Sequence, residues 1–279
     1  MKKIIWISSY PKSGNTWIRY FLCNYFYNKN RQDLDLSLLK YIDKFPNQNL
    51  LRQIASKNSL ESSAYNISNY WLPIQSEITK TKDKFIFLKN HNALVSLEGR
   101  DLTNEIYTLG IIYIVRDPRD IAVSYSNFDS NLTIAKAVER ITSKNLFCHV
   151  SKRNRFDIEI LGSWKFNYLS WKSGVKNLPR IILRYEDLIN NKLETKLKLI
   201  NFLSNLIGFK TDFEQIKFSI KNSEFNRLKA LEKKKKFHES NSNFFNSGKI
   251  GQWKNILSND QSSLIENFCK AEMKELNYL

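Results

Sequence analysis

The sequence predicts an α/β fold in which a parallel β-sheet carries helices on both faces. Short apolar runs that read as strands buried on both faces recur at residues 4–8, 85–88, 111–115 and 181–183. Stretches of helical periodicity lie between and after them, at 16–27, 118–128, 161–174, 192–207, 214–231 with a break near Asn222, and 260–276. Glycine and proline are scarce, 8 and 5 in 279 residues, and neither a repeat nor a linker divides the chain, so residues 1–279 read as a single domain.

The first run, Ile4-Ile5-Trp6-Ile7 after Met1-Lys2-Lys3, opens like a secretory signal. Its apolar stretch stops at Ser8, short of the roughly 7–15 residues of a signal core, and it reads instead as the strand that begins the fold. No run approaches the roughly 20 apolar residues of a membrane span, so no transmembrane segment is expected. Cys23, Cys148 and Cys269 are far apart and lack metal-ligand spacing, which points to a reducing, cytoplasmic compartment. An apolar content of 42%, with 13% aromatics, supplies a real core and excludes a disordered or fibrous chain. The formal charge of +17 suits nucleic acid, an anionic membrane or a polyanionic small molecule. Its basic residues are spread along the chain, with one dense block at 233–236, so solvated lysines account for most of it.

The first strand runs directly into Ser8-Ser9-Tyr10-Pro11-Lys12-Ser13-Gly14-Asn15-Thr16-Trp17 and then a helix. A turn of this kind aims backbone N–H groups and a helix N-terminus at one point, making an anion site. Against the Walker pattern G-x-x-x-x-G-K-[ST], Gly14 and Thr16 keep their places, but Asn15 stands where the lysine belongs and Ser9 where the first glycine belongs. Lys12 retains the cation in the crown of the loop. The expected architecture is therefore a P-loop-type parallel sheet of about five strands.

Pro-Lys-Ser-Gly-x-Thr-Trp at the end of a first strand resembles the 5′-phosphosulfate loop of sulfotransferases that use 3′-phosphoadenosine 5′-phosphosulfate (PAPS). Four later blocks extend the resemblance over nearly the whole chain: Lys89-Asn90-His91, the stretch from Tyr113 through Arg116 and Ser124 to Tyr125, Arg184-Tyr185-Glu186-Asp187-Leu188, and Gly248-Lys249-Ile250-Gly251-Gln252-Trp253-Lys254. The match is to the cytosolic-type domain in a bacterial-type form. It implies PAPS as donor, the bisphosphate PAP as product, and no metal. It assigns donor binding to Lys12, Ser13, Gly14, Asn15, Thr16, Trp17, Arg116, Ser124, Tyr185, Ser223, Phe225, Ser247, Gly248 and Lys249, and catalysis to His91, Lys12 and Lys89.

Chemistry supports these roles independently. A donor with two phosphate-bearing ends needs two cation-rich sites, and Lys12 and Arg116 follow two different strands. The alternative for Arg116-Asp117 and Arg119-Asp120 is a pair of local salt bridges at a helix start. Trp17 and Phe225 read either as core or as stacking partners of an adenine. Lys89 and His91, two apart on a strand, can face one site, where an imidazole beside a cation suits removal of an acceptor proton. A Walker-type magnesium site would want Asp where the second strand ends in Lys-Asn-His.

The chain departs from the family at Asn246-Ser247-Gly248, where Arg-Lys-Gly is usual; Lys249 or the block at 233–236 would have to replace that arginine on the 3′-phosphate. Ser258-Asn259 and Ser263 stand where many members carry a dimerisation signature, which leaves the oligomeric state open. The phosphate loop starts close to Met1, which predicts an open acceptor site. The acceptor class is a small molecule, glycan or lipid, without nucleic acid. Segments 143–157 and 232–251 read as lids or substrate walls, with plain mobile surface as the alternative. Competing readings are a P-loop small-molecule kinase using ATP-Mg²⁺ and a basic nucleic-acid-binding protein.

Overall fold

Ile4–Ser9 (β1) is the middle strand of a five-stranded parallel sheet in a computed structural model that describes residues 3–33, 35–55, 64–128, 132–145, 148–150, 158–175, 177–235 and 248–279. The other strands are β2 (Asp43–Lys44), β3 (Ile86–Asn90), β4 (Ser96–Leu97), β5 (Arg100–Asp101), β6 (Thr108–Val115), β7 (Cys148–Val150), β8 (Ile158–Ile160) and β9 (Arg180–Arg184). The main sheet runs β2-β3-β1-β6-β9, while β4 with β5 and β7 with β8 form small antiparallel pairs.

The branched run of β1 is fully buried because both faces of the sheet are covered. Alternation sends Ile4 and Trp6 into one core and Ile5 and Ile7 into the other, and β6 divides Ile111 and Tyr113 from Ile112 and Ile114 in the same way. The helices are α1 (Asn15–Tyr27), α2 (Gln48–Ala55), α3 (Ala64–Ser68), α4 (Trp71–Ile78), α5 (Pro118–Phe128), α6 (Ile134–Thr142), α7 (Trp164–Ser173), α8 (Tyr185–Asn190), α9 (Lys192–Ile207), α10 (Phe213–Asn222), α11 (Phe225–Lys235), α12 (Asn259–Phe268) and α13 (Lys270–Glu275). The first core takes Tyr125 of α5, Val138 of α6, Trp171 of α7 and Ile265 of α12. The second takes Phe21 of α1, Leu203 of α9 and Ile216 of α10. Each such side chain contributes roughly 1.5–3 kcal/mol by leaving water.

Several boundaries move from the sequence reading for identifiable reasons. The strand expected at 85–88 is Ile86–Asn90, so Lys89 and Asn90 lie within the ladder. The helix expected from 161 starts at Trp164, because Gly162 adopts φ +62° and the Ser163 hydroxyl caps the helix by accepting from Phe166 N at 3.2 Å. The break near Asn222 is real, and α10 ends there. The stretch 260–276 divides at Cys269 into α12 and α13. The fifth strand, β2, has two residues and was too short to carry a pattern. Part of segment 143–157 is a strand: β7 pairs with β8, while residues 146–147 and 151–157 lie outside the described set.

Parallel register brings the carboxyl ends of β1, β3, β6 and β9 to one edge, pairing Ser8 with Asn90, Ser9 with Ile114 and Val115 with Arg184. Among the described residues no helix is long and apolar enough to cross a membrane.

Candidate active site

At the end of β1 the chain turns through Lys12 at φ 70° and Gly14 at φ 96° before α1 begins at Asn15. Gly14 is required twice over: the backbone is left-handed, and an added Cβ would stand 2.6 Å from Tyr185 Cδ2. No side chain caps α1, so its first N–H groups remain available to an anion. Thr16 is buried in that first turn, and Ser13 Oγ is buried with no hydrogen-bond partner. Asn15 also has its Oδ1 buried with no hydrogen-bond partner. Its Nδ2 donates to Ile7 O at 2.9 Å and Ser9 Oγ at 3.2 Å, stapling the loop to β1.

The Lys12 ammonium lies 3.9 Å from the Phe128 ring centroid. Burial first, and then the neighbouring Arg116 charge, pull its pKa down to about 7. Arg116 leaves the end of β6 and binds two segments at once, donating from Nη1 to Lys12 O at 3.1 Å and from Nη2 to Lys249 O at 3.0 Å. Its guanidinium lies 4.3 Å over the Tyr185 ring, while Nε is buried without a partner. The local salt-bridge alternative does not hold as paired: Arg119 meets Asp117 at 2.7 Å and Glu266 at 2.6 Å, and Asp120 accepts from backbone N–H groups instead.

Residues 248–253 are fastened across this site. Tyr185 Oη donates to Gly248 O at 3.1 Å, and Asp120 accepts from Gly251 N at 2.7 Å and Trp253 N at 3.1 Å. The Lys249 side chain is exposed, and its carbonyl makes the contact with Arg116. Gly248, at φ 66°, lies against the Phe225 ring, which a Cβ there would meet at 2.8 Å. Trp17 Nε1 donates to Ser223 O at 2.6 Å, joining α1 to the end of α10. The Ser223 hydroxyl donates into its own helix, to Ser219 O at 2.6 Å, while its carbonyl holds Trp17. Ser124 is partly exposed on α5. Ser247 and Asn246 lie outside the described residues, as does Lys236; Lys233 is exposed.

Across the same edge, His91 Nδ1 stands 2.8 Å from Ser9 O and 3.2 Å from Ser9 Oγ, the hydroxyl that Asn15 also contacts. A carbonyl only accepts, so Nδ1 carries the proton and Nε2 keeps its lone pair. Burial above all, then the Lys89 charge, lowers the imidazole pKa to about 3. Lys89 lies 3.6 Å from Glu159 Oε1, and Lys44 meets the same oxygen at 3.2 Å. Burial opposes the charge on Glu159, yet the two lysines outweigh it and hold the carboxyl far below its ordinary range. β8 brings Glu159 here by docking on the segment after His91: Ile160 N donates to Asn92 Oδ1 at 2.7 Å, and Ala93 N to Ile160 O at 2.7 Å.

The edge suits a polyanion. Arg116 Nε and Ser13 Oγ are orphaned, and Lys12 is a desolvated cation; a ligand with anionic groups at both places would relieve them. Among the described residues no group of three or more His, Cys, Asp and Glu side chains is placed to hold a metal ion.

A parallel α/β sheet with a phosphate loop after its first strand and a basic, imidazole-bearing edge defines a class of proteins that bind phosphate-bearing ligands at the strand ends. The sulfotransferase domain family model matches residues 2–277. The chain belongs to that family and is a sulfotransferase. A rabbit (Oryctolagus cuniculus) amine sulfotransferase is 22% identical over 97% of this chain and 81% of its own length. Among solved structures, mouse sulfotransferase SULT7A1 complexed with PAP superposes with a TM-score of 0.59 at 18% identity, covering 98% of this chain and 85% of that one. Retinol dehydratase in a complex with retinol and PAP gives 0.63 at 15% identity, covering 98% and 82%.

Glu159, Lys44 and Asp120 were missed by the sequence reading. Asp120 lies inside the block from Tyr113 to Tyr125 and was legible as a helix-start acid. Glu159 and Lys44 carry no local signal, since they meet Lys89 only through β8 docking and the two-residue edge strand.

Proposed function

We propose that the chain, acting as one domain, transfers the sulfuryl group of PAPS to a hydroxyl or amine of a small-molecule, glycan or lipid acceptor and releases PAP. Support comes chiefly from one pairing at the sheet edge: a desolvated Lys12 in the phosphate loop, and opposite it an imidazole whose Nε2 keeps its lone pair. In the transfer, the acceptor oxygen forms a bond to sulfur as the bond from sulfur to the 5′-phosphate oxygen breaks. The acceptor proton goes to His91 Nε2 and the electron pair of the broken bond to PAP. Lys12, with Lys89, stabilises the charge that develops on the leaving oxygen. Arg116 takes the 3′-phosphate, its orphaned Nε adding a donor, and Ser124 lies on the helix that follows. Trp17 and Phe225 flank the adenine, with the loop from Gly248 to Trp253 closing the site.

The relatives' bound PAP supports the donor, and the retinol in one of them supports a small-molecule acceptor. We assign a cytosolic location, in keeping with the buried free thiols of Cys23 and Cys269. A screen of phenols, alcohols, amines and glycans with sulfur-labelled PAPS tests the reading. Label should pass to at least one acceptor and PAP should accumulate; transfer of phosphate from ATP-Mg²⁺ with none from PAPS would refute it.

A further inference from the structure

Glu159 has no part in the transfer as written, although it is almost fully buried and beside the base. The charged groups facing His91 among the described residues are Lys89 of β3, Lys44 of β2 and Glu159 of β8, with the neutral Ser9 of β1 on Nδ1. Two cations therefore border the imidazole, and one anion opposes them. When Nε2 takes the acceptor proton a third cation forms in the same space. Among the described residues, Glu159 is the carboxylate that meets both lysines and acts on the imidazole, so its charge bears on whether that proton can be accepted.

We infer that Glu159 is the positioning residue of the transfer site: its carboxylate holds Lys89 and Lys44 and serves as counter-charge to the imidazolium that forms on His91. This inference rests on the sulfuryl-transfer reading above. It gives the two partners of one ion pair opposite effects on His91. Loss of Glu159 leaves the imidazole among cations and lowers its proton affinity, whereas loss of Lys44 removes a cation and raises it. A scaffold role would make both losses simply weaken the fold. Lys44 is the more exposed partner, its side chain 31% accessible against 7% for Glu159, and its removal leaves Glu159 paired with Lys89 at 3.6 Å.

The test measures His91 in the PAP complex, which needs no acceptor. The chain has three histidines, and His91→Gln assigns the resonance by its absence. The protonation midpoint of His91 should fall by about one pH unit in Glu159→Gln and rise comparably in Lys44→Met. PAP release from PAPS, with water as acceptor, should slow about 10- to 100-fold in Glu159→Gln, part of the roughly 10²–10⁴ that a positioned base supplies, while PAP affinity is kept or tightened. If Glu159→Gln does not fold, the same loss is read for the Lys44→Met/Glu159→Gln pair against Lys44→Met alone. Unmoved midpoints, or equal slowing by Glu159→Gln in a His91→Ala background, would overturn the inference. Failure of the wild-type protein to bind PAP would instead overturn the donor reading on which it rests.

Discussion

His91 Nδ1 stands 2.8 Å from the carbonyl oxygen of Ser9, the last residue of the first strand. That one contact selects the tautomer and leaves Nε2 as the nitrogen with a free electron pair. It also ties the proposed base to the strand that launches the phosphate loop, so His91 and the loop share one rigid element.

The folded pKa of His91, about 3, lies below its ordinary 6.5. The unfolded chain therefore binds the proton first, and this contribution to stability is present above pH 6.5 and lost as pH falls toward 3. His91→Gln, which keeps an N–H for Ser9 O, should flatten the decline in stability across that window by up to about 1.4 kcal/mol per pH unit. Urea titrations at several pH values check it; an unchanged slope would place the imidazole outside the buried setting described here.

Arg116→Ala should weaken PAP binding by about 1.5–3 kcal/mol, the range for a hydrogen bond to a charged group. Adenosine 5′-phosphosulfate has no 3′-phosphate and should lose less. Some loss is expected for both nucleotides, because Arg116 also joins Lys12 O to Lys249 O. Calorimetry showing equal losses would remove Arg116 from the 3′-phosphate.

His91→Ala and Lys12→Ala should separate turnover from binding. The first should reduce kcat about 10²–10⁴-fold with PAP affinity nearly intact; the second should damage both, since Lys12 serves the donor. If His91→Ala abolished PAP binding and spared turnover in the folded fraction, His91 would be a structural residue.

Lys196 of α9 is buried without a hydrogen-bond partner, 4.5 Å from the Trp17 ring centroid. Burial, and secondarily Lys192, lowers its pKa to about 7. Its unfolded value of 10.5 is higher, so the unfavourable charge is present in full below pH 7 and disappears as pH rises to 10.5. Lys196→Met should therefore stabilise the protein by about 1–3 kcal/mol near pH 7, with the gain vanishing at alkaline pH. A lower melting temperature in the variant at both pH values would show that the ammonium is held favourably against Trp17.

The sheet and the donor half were legible because their signals are local. β1, the turn through Lys12 and Gly14, and the block containing Arg116 each carry their chemistry within a few consecutive residues. The acceptor half was less legible. Glu159 reaches Lys89 across 70 positions, through a hairpin docked on Asn92, and no periodicity marks such a contact. Asn15 and Ser223 show the converse. Residue type and position matched the family, while the local side-chain bonds from Asn15 Nδ2 to Ile7 O and from the Ser223 hydroxyl to Ser219 O are ones that only coordinates reveal.

The central claim is a donor site whose cations are Lys12, Lys89 and Arg116, with Lys-Asn-His at the end of β3 where a magnesium-dependent kinase would want a carboxylate. Calorimetric titration of PAP in EDTA, set beside ATP with Mg²⁺, tests it most directly. PAP should bind without metal at least about tenfold more tightly than ATP-Mg²⁺, a difference of about 1.4 kcal/mol. Tight binding of ATP-Mg²⁺ with none of PAP would contradict the account.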